Sequence, residues 1–339
     1  MLRADETPPM KEAESRAPDL EASRAALVDL GRALRAAGYE FTTPTPATHH
    51  RVADRNGRGE ARTLRDVFGW SRRFRPSVLP PAILALCEAA EILPPPDDAG
   101  YLTSRVRFST LNAATGNFMF AHSAFPTTER DAVFFGPDSY RFAALLTRTV
   151  WDARRLVDVG CGAGVGGLVL SPRADEIVLA DISPRALELA AINRALAGRD
   201  QATVALQQSD VLANVEGNFD VIVSNPPYLA GPDPASGQQA RLYRDGGGSL
   251  GIDLSVRIVT ESLARLHAGE GGQLVLYTGA PVIDGRNVLQ DRLAPLLRSE
   301  ASAFSWEELD PDVFGEELER PAYRDTERLS VVALIASVA

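Results

Sequence analysis

In residues 21–37 apolar side chains recur at Leu27, Leu30 and Leu34, the spacing of one helical face, and Gly38 follows as a stop signal. Further apolar-patterned pieces cover residues 61–70 and 81–93, after which PPPDDAG breaks the chain. Two alternating stretches, 101–110 and 117–125, flank the turn-rich LNAATGN and predict a β-hairpin. Beyond Arg155 the texture changes. Short β-branched runs, RRLVDVG, EIVLADI, ATVALQQSD, FDVIVS, GGQLVLYTG and LSVVALIASV, alternate with helical stretches such as 186–197 and 254–266. Strands separated by helices predict right-handed βαβ units and a parallel, doubly wound α/β sheet. Ligands of such sheets bind at the carboxyl ends of the strands, where the strand order reverses.

This patterning divides the chain into a leader at 1–20 without apolar periodicity, expected to be disordered, a smaller amino-terminal unit at 21–128 and a larger α/β unit at 129–339. Helices followed by a hairpin resemble a small α+β, winged-helix-like module. With 339 residues, 45% of them hydrophobic, the chain can bury a full core. No run of about 18 apolar residues predicts a membrane-spanning helix, and the charged, proline-bearing start has no apolar h-region of a secretory signal. The cytoplasm is the expected compartment. Two cysteines, Cys87 and Cys161, and four scattered histidines offer neither a disulfide scaffold nor a zinc site, so no metal is expected.

Three candidate elements follow strands one, two and three of this series. Val157-Asp158-Val159-Gly160-Cys161-Gly162-Ala163-Gly164 ends a strand and opens a helix; its alternate glycines let the backbone turn sharply and approach a ligand. A G-x-G-x-x-G spacing is present as well, in Gly162, Gly164 and Gly167, so a nicotinamide dinucleotide has to be weighed beside other nucleosides. Asp181, at the tip of IVLAD, is placed to accept both hydroxyls of a ribose, whereas Ser183-Pro184 suits the start of the next helix. Asp210 in Ser209-Asp210-Val211 is placed to accept from an adenine amine, with the Val211 N–H facing the ring; alone it would read as a cap or turn residue.

Asn225-Pro226-Pro227-Tyr228 closes the strand FDVIVS. Two prolines hold the backbone extended and have no N–H to donate, so the Asn225 side-chain oxygen and the Pro226 carbonyl form converging acceptors. Such a pair grips both hydrogens of an –NH₂ group and turns its lone pair outward. Tyr228 is expected to offer a flat face for a planar amide or base.

DVGCGAG, LADISP, QSDVL and VSNPPY, in this order on alternating strands, resemble class I S-adenosylmethionine-dependent methyltransferases with an N-P-P-Y motif. That group holds the HemK-like glutamine methyltransferases of release factors, adenine amino-methyltransferases of DNA and small-domain guanine methyltransferases of ribosomal RNA. The resemblance covers about residues 130–339. It implies a Rossmann-like, seven-stranded sheet and S-adenosylmethionine as cofactor. The methionine part would be held by Asp158, Gly160, Cys161, Gly162 and Gly164, the ribose side by Asp181 and Ile182, and the adenine by Asp210 and Val211. Asn225, Pro226, Pro227 and Tyr228 would hold the target nitrogen, with Asn225 also facing the cofactor. FFGPDSYRFAALL sits where relatives place a cofactor-covering segment but lacks the Arg and Thr-Glu pattern of the glutamine enzymes. YRDGGGSLGIDLSVRIV resembles the glycine-bearing lead into their next helix.

Charge bears on the acceptor. The net charge of −10 argues against bulk attraction to nucleic acid, yet residues 1–150 hold 19 basic and 18 acidic side chains against 16 and 27 in the remainder. Residues 51–75 are the most basic stretch, with Arg51, Arg55, Arg58, Arg62, Arg65, Arg72, Arg73 and Arg75 against Asp54, Glu60 and Asp66. They could contact phosphates, dock an acidic protein or be a solvated surface in a chain whose sole lysine is Lys11. The acidic WEELDPDVFGEELERPAYRDTE would repel RNA if it lined the same cleft. The expected activity is N-methylation of a macromolecule of translation, a protein glutamine ahead of a nucleobase amine. A small-metabolite methyltransferase and an NAD-dependent oxidoreductase are the alternatives, and N-P-P-Y has no task in the latter.

Overall fold

The computed structural model describes residues 10–54, 59–232, 239–268 and 271–339. The amino-terminal part consists of helices α1 (Met10–Ala36), α2 (Pro46–Asp54), α3 (Leu64–Phe68) and α4 (Pro81–Ala89), then strands β1 (Val106–Ala113) and β2 (Gly116–Ser123). The helix expected from residue 21 begins at Met10, so the second half of the expected leader is helical; residues 1–9 lie outside the described residues. Met, Lys, Glu, Ala and Arg dominate this stretch and favour helix through propensity, which an apolar period does not report. Gly38 does end the helix, in the left-handed region at φ 71°. β1 and β2 pair antiparallel from Val106↔Ser123 to Ala113↔Gly116, so the strands run further into the expected turn than the pattern indicated.

The remainder runs α5 (Pro137–Thr149), β3 (Ala153–Val159), α6 (Val165–Leu170), β4 (Ala174–Asp181), α7 (Pro184–Leu196), β5 (Val204–Gln208), β6 (Val221–Ser224), α8 (Asp253–Leu263) and β7 (Gln273–Ile283). It ends with β8 (Arg286–Asn287), α9 (Val288–Glu300), β9 (Ala303–Asp310) and β10 (Arg328–Ser337). Seven strands lie in the order β5-β4-β3-β6-β7-β10-β9, with β8 paired to the end of β7. The α/β sheet is as expected, with one difference. β10 is antiparallel to both β7 and β9. Its approach from β9 needs no crossover helix, so the chain simply turns back between its neighbours.

Alternation along the strands builds two cores. Leu156 on β3 and Val275 and Tyr277 on β7 face the layer of α5, α6 and α7, and Val157, Leu274 and Leu276 face α8 and α9. Each of these side chains is fully buried, and a buried Leu or Val contributes about 1.5–3 kcal/mol. The amino-terminal part packs on the first of these layers. Gly31 of α1 crosses α7 so closely that a Cβ there would lie 2.7 Å from Leu196. Buried Asn193 of α7 accepts from the Ala121 N–H of β2 at 2.7 Å and donates to the Ala121 carbonyl at 3.0 Å and the Ala163 carbonyl at 2.9 Å. The chain leaves β3 for β4 and β5 and returns to β6 on the other side of β3. A crevice opens at this reversal, between the loops that follow β3 and β6.

Candidate functional site

A cleft of about 1130 Å³ occupies that crevice. Every sequence-expected site residue lines it except Gly164, which sits just behind: Asp158, Gly160, Cys161 and Gly162 after β3, Asp181 and Ile182 after β4, Asp210 and Val211 after β5, and Asn225 to Tyr228 after β6. Four strand ends thus converge on one space.

The glycine loop has the geometry that its spacing requires. Gly160 and Gly162 adopt φ 67° and 54°, and a Cβ on either would point into open space. Their bare backbone faces the cleft. Gly164, at φ 82°, serves packing instead, since a Cβ there would press on Leu168 and Leu179 at 3.2 Å. The third glycine of the dinucleotide-type spacing, Gly167, lies inside α6, where a Cβ would come within 2.4 Å of Leu179; it lets the helix press on β4. Cys161 is 6% exposed and burial pushes its thiol well up, so it is no nucleophile.

Two carboxylates support the loop. Asp158 is 1% exposed and accepts from the Gly167 N–H at 2.9 Å. Burial pushes it up to about 7, opposed by that N–H and reinforced by the neighbouring Asp181 charge. Asp181 accepts from the Gly162 N–H at 2.9 Å on one oxygen and from the Ser183 N–H at 2.8 Å on the other. Burial raises its pKa as well, opposed by these N–H groups. A carboxylate has about four acceptor positions, so roughly two remain for a ligand. Ser183 caps α7, accepting from the Ala186 N–H at 3.3 Å, as its Ser-Pro context predicts. Ile182 is 49% exposed, an apolar side chain standing beside the carboxylate.

Asp210 has a partner within the chain. Its Oδ1 is paired with Arg257 of α8 at 2.9 Å, and Arg257 also holds Glu261 at 2.7 Å. Val211 takes a left-handed φ of 53° and is buried. The Arg257 contact comes from a residue 47 positions away and has no local signal.

At the opposite wall, nothing among the described residues hydrogen-bonds the Asn225 side chain, which leaves its amide free toward the cleft. Tyr228 departs from the sequence reading. It is 8% exposed, and its hydroxyl donates to Asp138 Oδ2 of α5 at 2.5 Å, so the ring is an anchor and not an open platform. The reason is a glycine in β7: a Cβ on Gly279 would lie 2.1 Å from the Tyr228 ring, which fills the groove that glycine leaves. Gly279 interrupts a strand and thus carried a sequence signal for this close approach. Asp138 itself was not found from sequence. It also accepts from the Tyr277 hydroxyl at 2.8 Å and from Arg141 at 3.3 Å.

Beyond Tyr228, the Leu229 N–H donates to the Arg244 carbonyl at 3.0 Å and the Gly246 N–H to the Leu229 carbonyl at 2.9 Å. Here YRDGGGSLGID lies against the N-P-P-Y segment, and a Cβ on Gly251 would collide with the Leu229 backbone at 2.4 Å. The FFGPDSYRFAALL segment supplies Phe134, Asp138, Ser139 and Phe142 to the wall, and Phe134 stacks on Tyr243 at 5.6 Å. The acidic segment does reach the cleft, through Glu316 and Glu317. Glu317 is paired with Arg244 and Arg320, which neutralises part of its field.

Among the described residues, four arginines of the basic stretch contact other side chains of the chain. Arg72 pairs with Asp66 at 2.9 Å, and Arg73 and Arg75 lie over the Tyr101 ring at 4.4 and 3.9 Å. Arg65 lies over Phe41 at 5.6 Å, and Arg55 and Arg58 lie outside the described residues. Pro46 and His50 of α2, with Phe125, do reach the cleft.

Residues 137–268 match the methyltransferase small domain family. A release factor glutamine methyltransferase of Deinococcus radiodurans is 37% identical over 174 residues, covering 48% of this chain and 55% of the relative. A ribosomal RNA small subunit methyltransferase C of Haemophilus influenzae is 38% identical over 130 residues, covering 37% of this chain and 32% of the relative. The chain therefore spans about half and about one third of the lengths of these curated relatives. Among solved structures, the T. thermophilus 16S rRNA N2 methyltransferase in complex with AdoMet and guanosine aligns with a TM-score of 0.45 at 18% identity, over 74% of this chain and 60% of that one. The resemblance read from the four motifs is borne out by the family match and the two curated relatives.

Proposed function

We propose, from the methyltransferase small domain that residues 137–268 match, that the chain is an S-adenosylmethionine-dependent N-methyltransferase acting on a planar amide or amine nitrogen of a macromolecule of translation. The observation that carries this reading is the convergence, in one cleft, of a bare glycine loop over two carboxylates and, on the facing strand end, an amide with no partner among the described residues. A protein glutamine stands ahead of a nucleobase amine. Of the two relatives described, the release factor methyltransferase is the one matched over the greater length.

The residues present fit S-adenosylmethionine. Gly160 and Gly162 leave a cradle that a Cβ would fill, the spare acceptor positions of Asp181 suit ribose hydroxyls, and Ile182 offers an apolar face to a base. Asp158 would hold the ammonium of the methionine part. When bound, the cofactor supplies a methyl on a sulfonium that is already activated for displacement.

What remains for the chain is orientation. The Asn225 oxygen and the Pro226 carbonyl accept the two hydrogens of the target –NH₂, which favours the form with electron density on nitrogen and stabilises the positive charge that develops there. Holding nucleophile and methyl in line is worth about 7–11 kcal/mol. The methylated nitrogen becomes acidic and releases its proton to water, so no histidine or cysteine base is required.

Calorimetric titration tests the cofactor: binding of S-adenosylmethionine with no response to NAD is expected, and the reverse overturns the reading. Labelled S-adenosylmethionine, incubated with the protein and lysate of cells lacking it, tests the acceptor. Label resistant to nuclease and lost to protease is expected; the opposite pattern makes the acceptor a nucleic acid.

A further inference from the structure

The N-P-P-Y segment has a mechanical difficulty. Pro226 and Pro227 have no N–H, so neither peptide can be fixed by donating to a neighbouring strand. The regular pairing of β6 ends at Ser224, whose hydroxyl donates to the Val159 carbonyl at 2.7 Å. The next fixed point downstream is the Tyr228 hydroxyl on Asp138, and the backbone is caught again only at Leu229 and Ala230.

From this geometry we propose that Asp138 is the positioning residue of the acceptor site, acting through Tyr228 to set where the Asn225 oxygen and Pro226 carbonyl point. The inference rests on the methyl-transfer reading and adds a residue to it. Asp138 is suited to the task because it is itself constrained. It is 8% exposed, one oxygen accepts from Tyr228, and the other accepts from Tyr277 of β7 and from Arg141. Arg141 is held in turn by Asp310 of β9 at 2.7 Å. A buried carboxylate with both oxygens engaged keeps its orientation. The phenol beyond it therefore has one place to dock. Asp138 also joins elements that the sequence separates by 90 and 139 positions: α5, the Asn225 loop and β7. Removing its grip frees a segment whose two consecutive prolines lack donors, at the point where a displacement of about 1 Å costs about a hundredfold in rate.

Tyr228→Phe removes one hydroxyl and leaves the ring against Gly279, and Asp138→Asn keeps the volume. Both are compared with Tyr277→Phe, which breaks the other phenol contact of the same carboxylate without touching the acceptor loop. Initial rates of label transfer from S-adenosylmethionine into lysate are measured over a series of cofactor concentrations, with calorimetry and thermal melting on each protein. Expected are a fall in apparent kcat of about 10- to 100-fold for Tyr228→Phe and Asp138→Asn, no further fall in the double variant, and a KM and Kd for S-adenosylmethionine within about twofold of the parent. Tyr277→Phe, in which Arg141 still engages the same oxygen of Asp138, is expected to lose less than either. Full transfer by Tyr228→Phe, an equal loss in Tyr277→Phe, or a loss that follows melting temperature alone overturns the inference. Failure of the parent protein itself to bind S-adenosylmethionine overturns the underlying reading instead.

Discussion

The two walls of the cleft are built by different means. At the glycine-loop wall the bonds to the two carboxylates span short stretches of chain, Gly167 to Asp158, Gly162 to Asp181 and Ser183 to Asp181, and Asn193 on the Ala163 carbonyl is the longer-range brace. At the Asn225 wall the support comes from Asp138, Gly279 and Tyr323, and only the twin prolines are local. A wall made of consecutive βα turns carries its geometry in the chain's own conformational preferences. A wall assembled from distant elements depends on the tertiary fold, and small changes there should alter orientation before they alter binding.

Asn225→Ala probes this difference most severely. Transfer should fall on the order of 100- to 1000-fold, the usual effect of removing one preorganised polar partner of the reacting group, while calorimetric affinity for S-adenosylmethionine stays close to the parent value. Parallel loss of binding would erase the contrast between the walls. Asp181→Ala should do the opposite, weakening cofactor affinity by about 1.5–3 kcal/mol, roughly ten- to a hundredfold, because it removes ribose acceptors and releases the Gly162 N–H. Unchanged affinity in that variant would remove Asp181 from the nucleoside site.

The mildest probe is pH. Burial holds Asp158 up at about 7, above its ordinary range, so its effect on folding favours the native state below that ordinary range and is lost as pH rises toward 7. Ligand binding has the reverse sign, since an ammonium needs the ionised carboxylate. Affinity for S-adenosylmethionine should weaken by up to about tenfold per pH unit as pH falls below about 7, and Asp158→Asn should flatten that slope. An identical slope in the variant would assign the pH dependence to another group.

The same contrast explains what the sequence revealed. The glycine spacing, the acid at the tip of β4 and the Asn-Pro-Pro-Tyr tetrapeptide were legible because each acts through local backbone geometry. Asp138 was not: in GPDSY it reads as an acid in a first helical turn, and nothing nearby points to residues 228 and 277. The depth of Tyr228 was missed for the same reason, although Gly279 within a strand was a usable hint. Arg257 reads as an ordinary helix-surface cation, yet it pairs with Asp210. In the fold, buried strands were found from their continuous apolar runs, whereas β9 was not, because AFSWEELD is mostly exposed and lies at the edge of the sheet. The reversed direction of β10 was equally hidden, since a fully buried strand has the same composition in either direction.

The Asn193 amide has a consequence for how the molecule can be taken apart. Three of its four hydrogen-bonding valences are filled, two by the hairpin strand β2 and one by the Ala163 carbonyl of the glycine loop. A chain trimmed of its first 128 residues would keep Asp158, Asp181 and Asn225 and still loosen the keystone of that loop, because the amide would face a vacated groove with two hydrogen bonds missing. The amino-terminal part is thus a splint for the glycine-loop end of the cleft, and removal of that part alone would yield a chain whose first failure is a slack glycine turn.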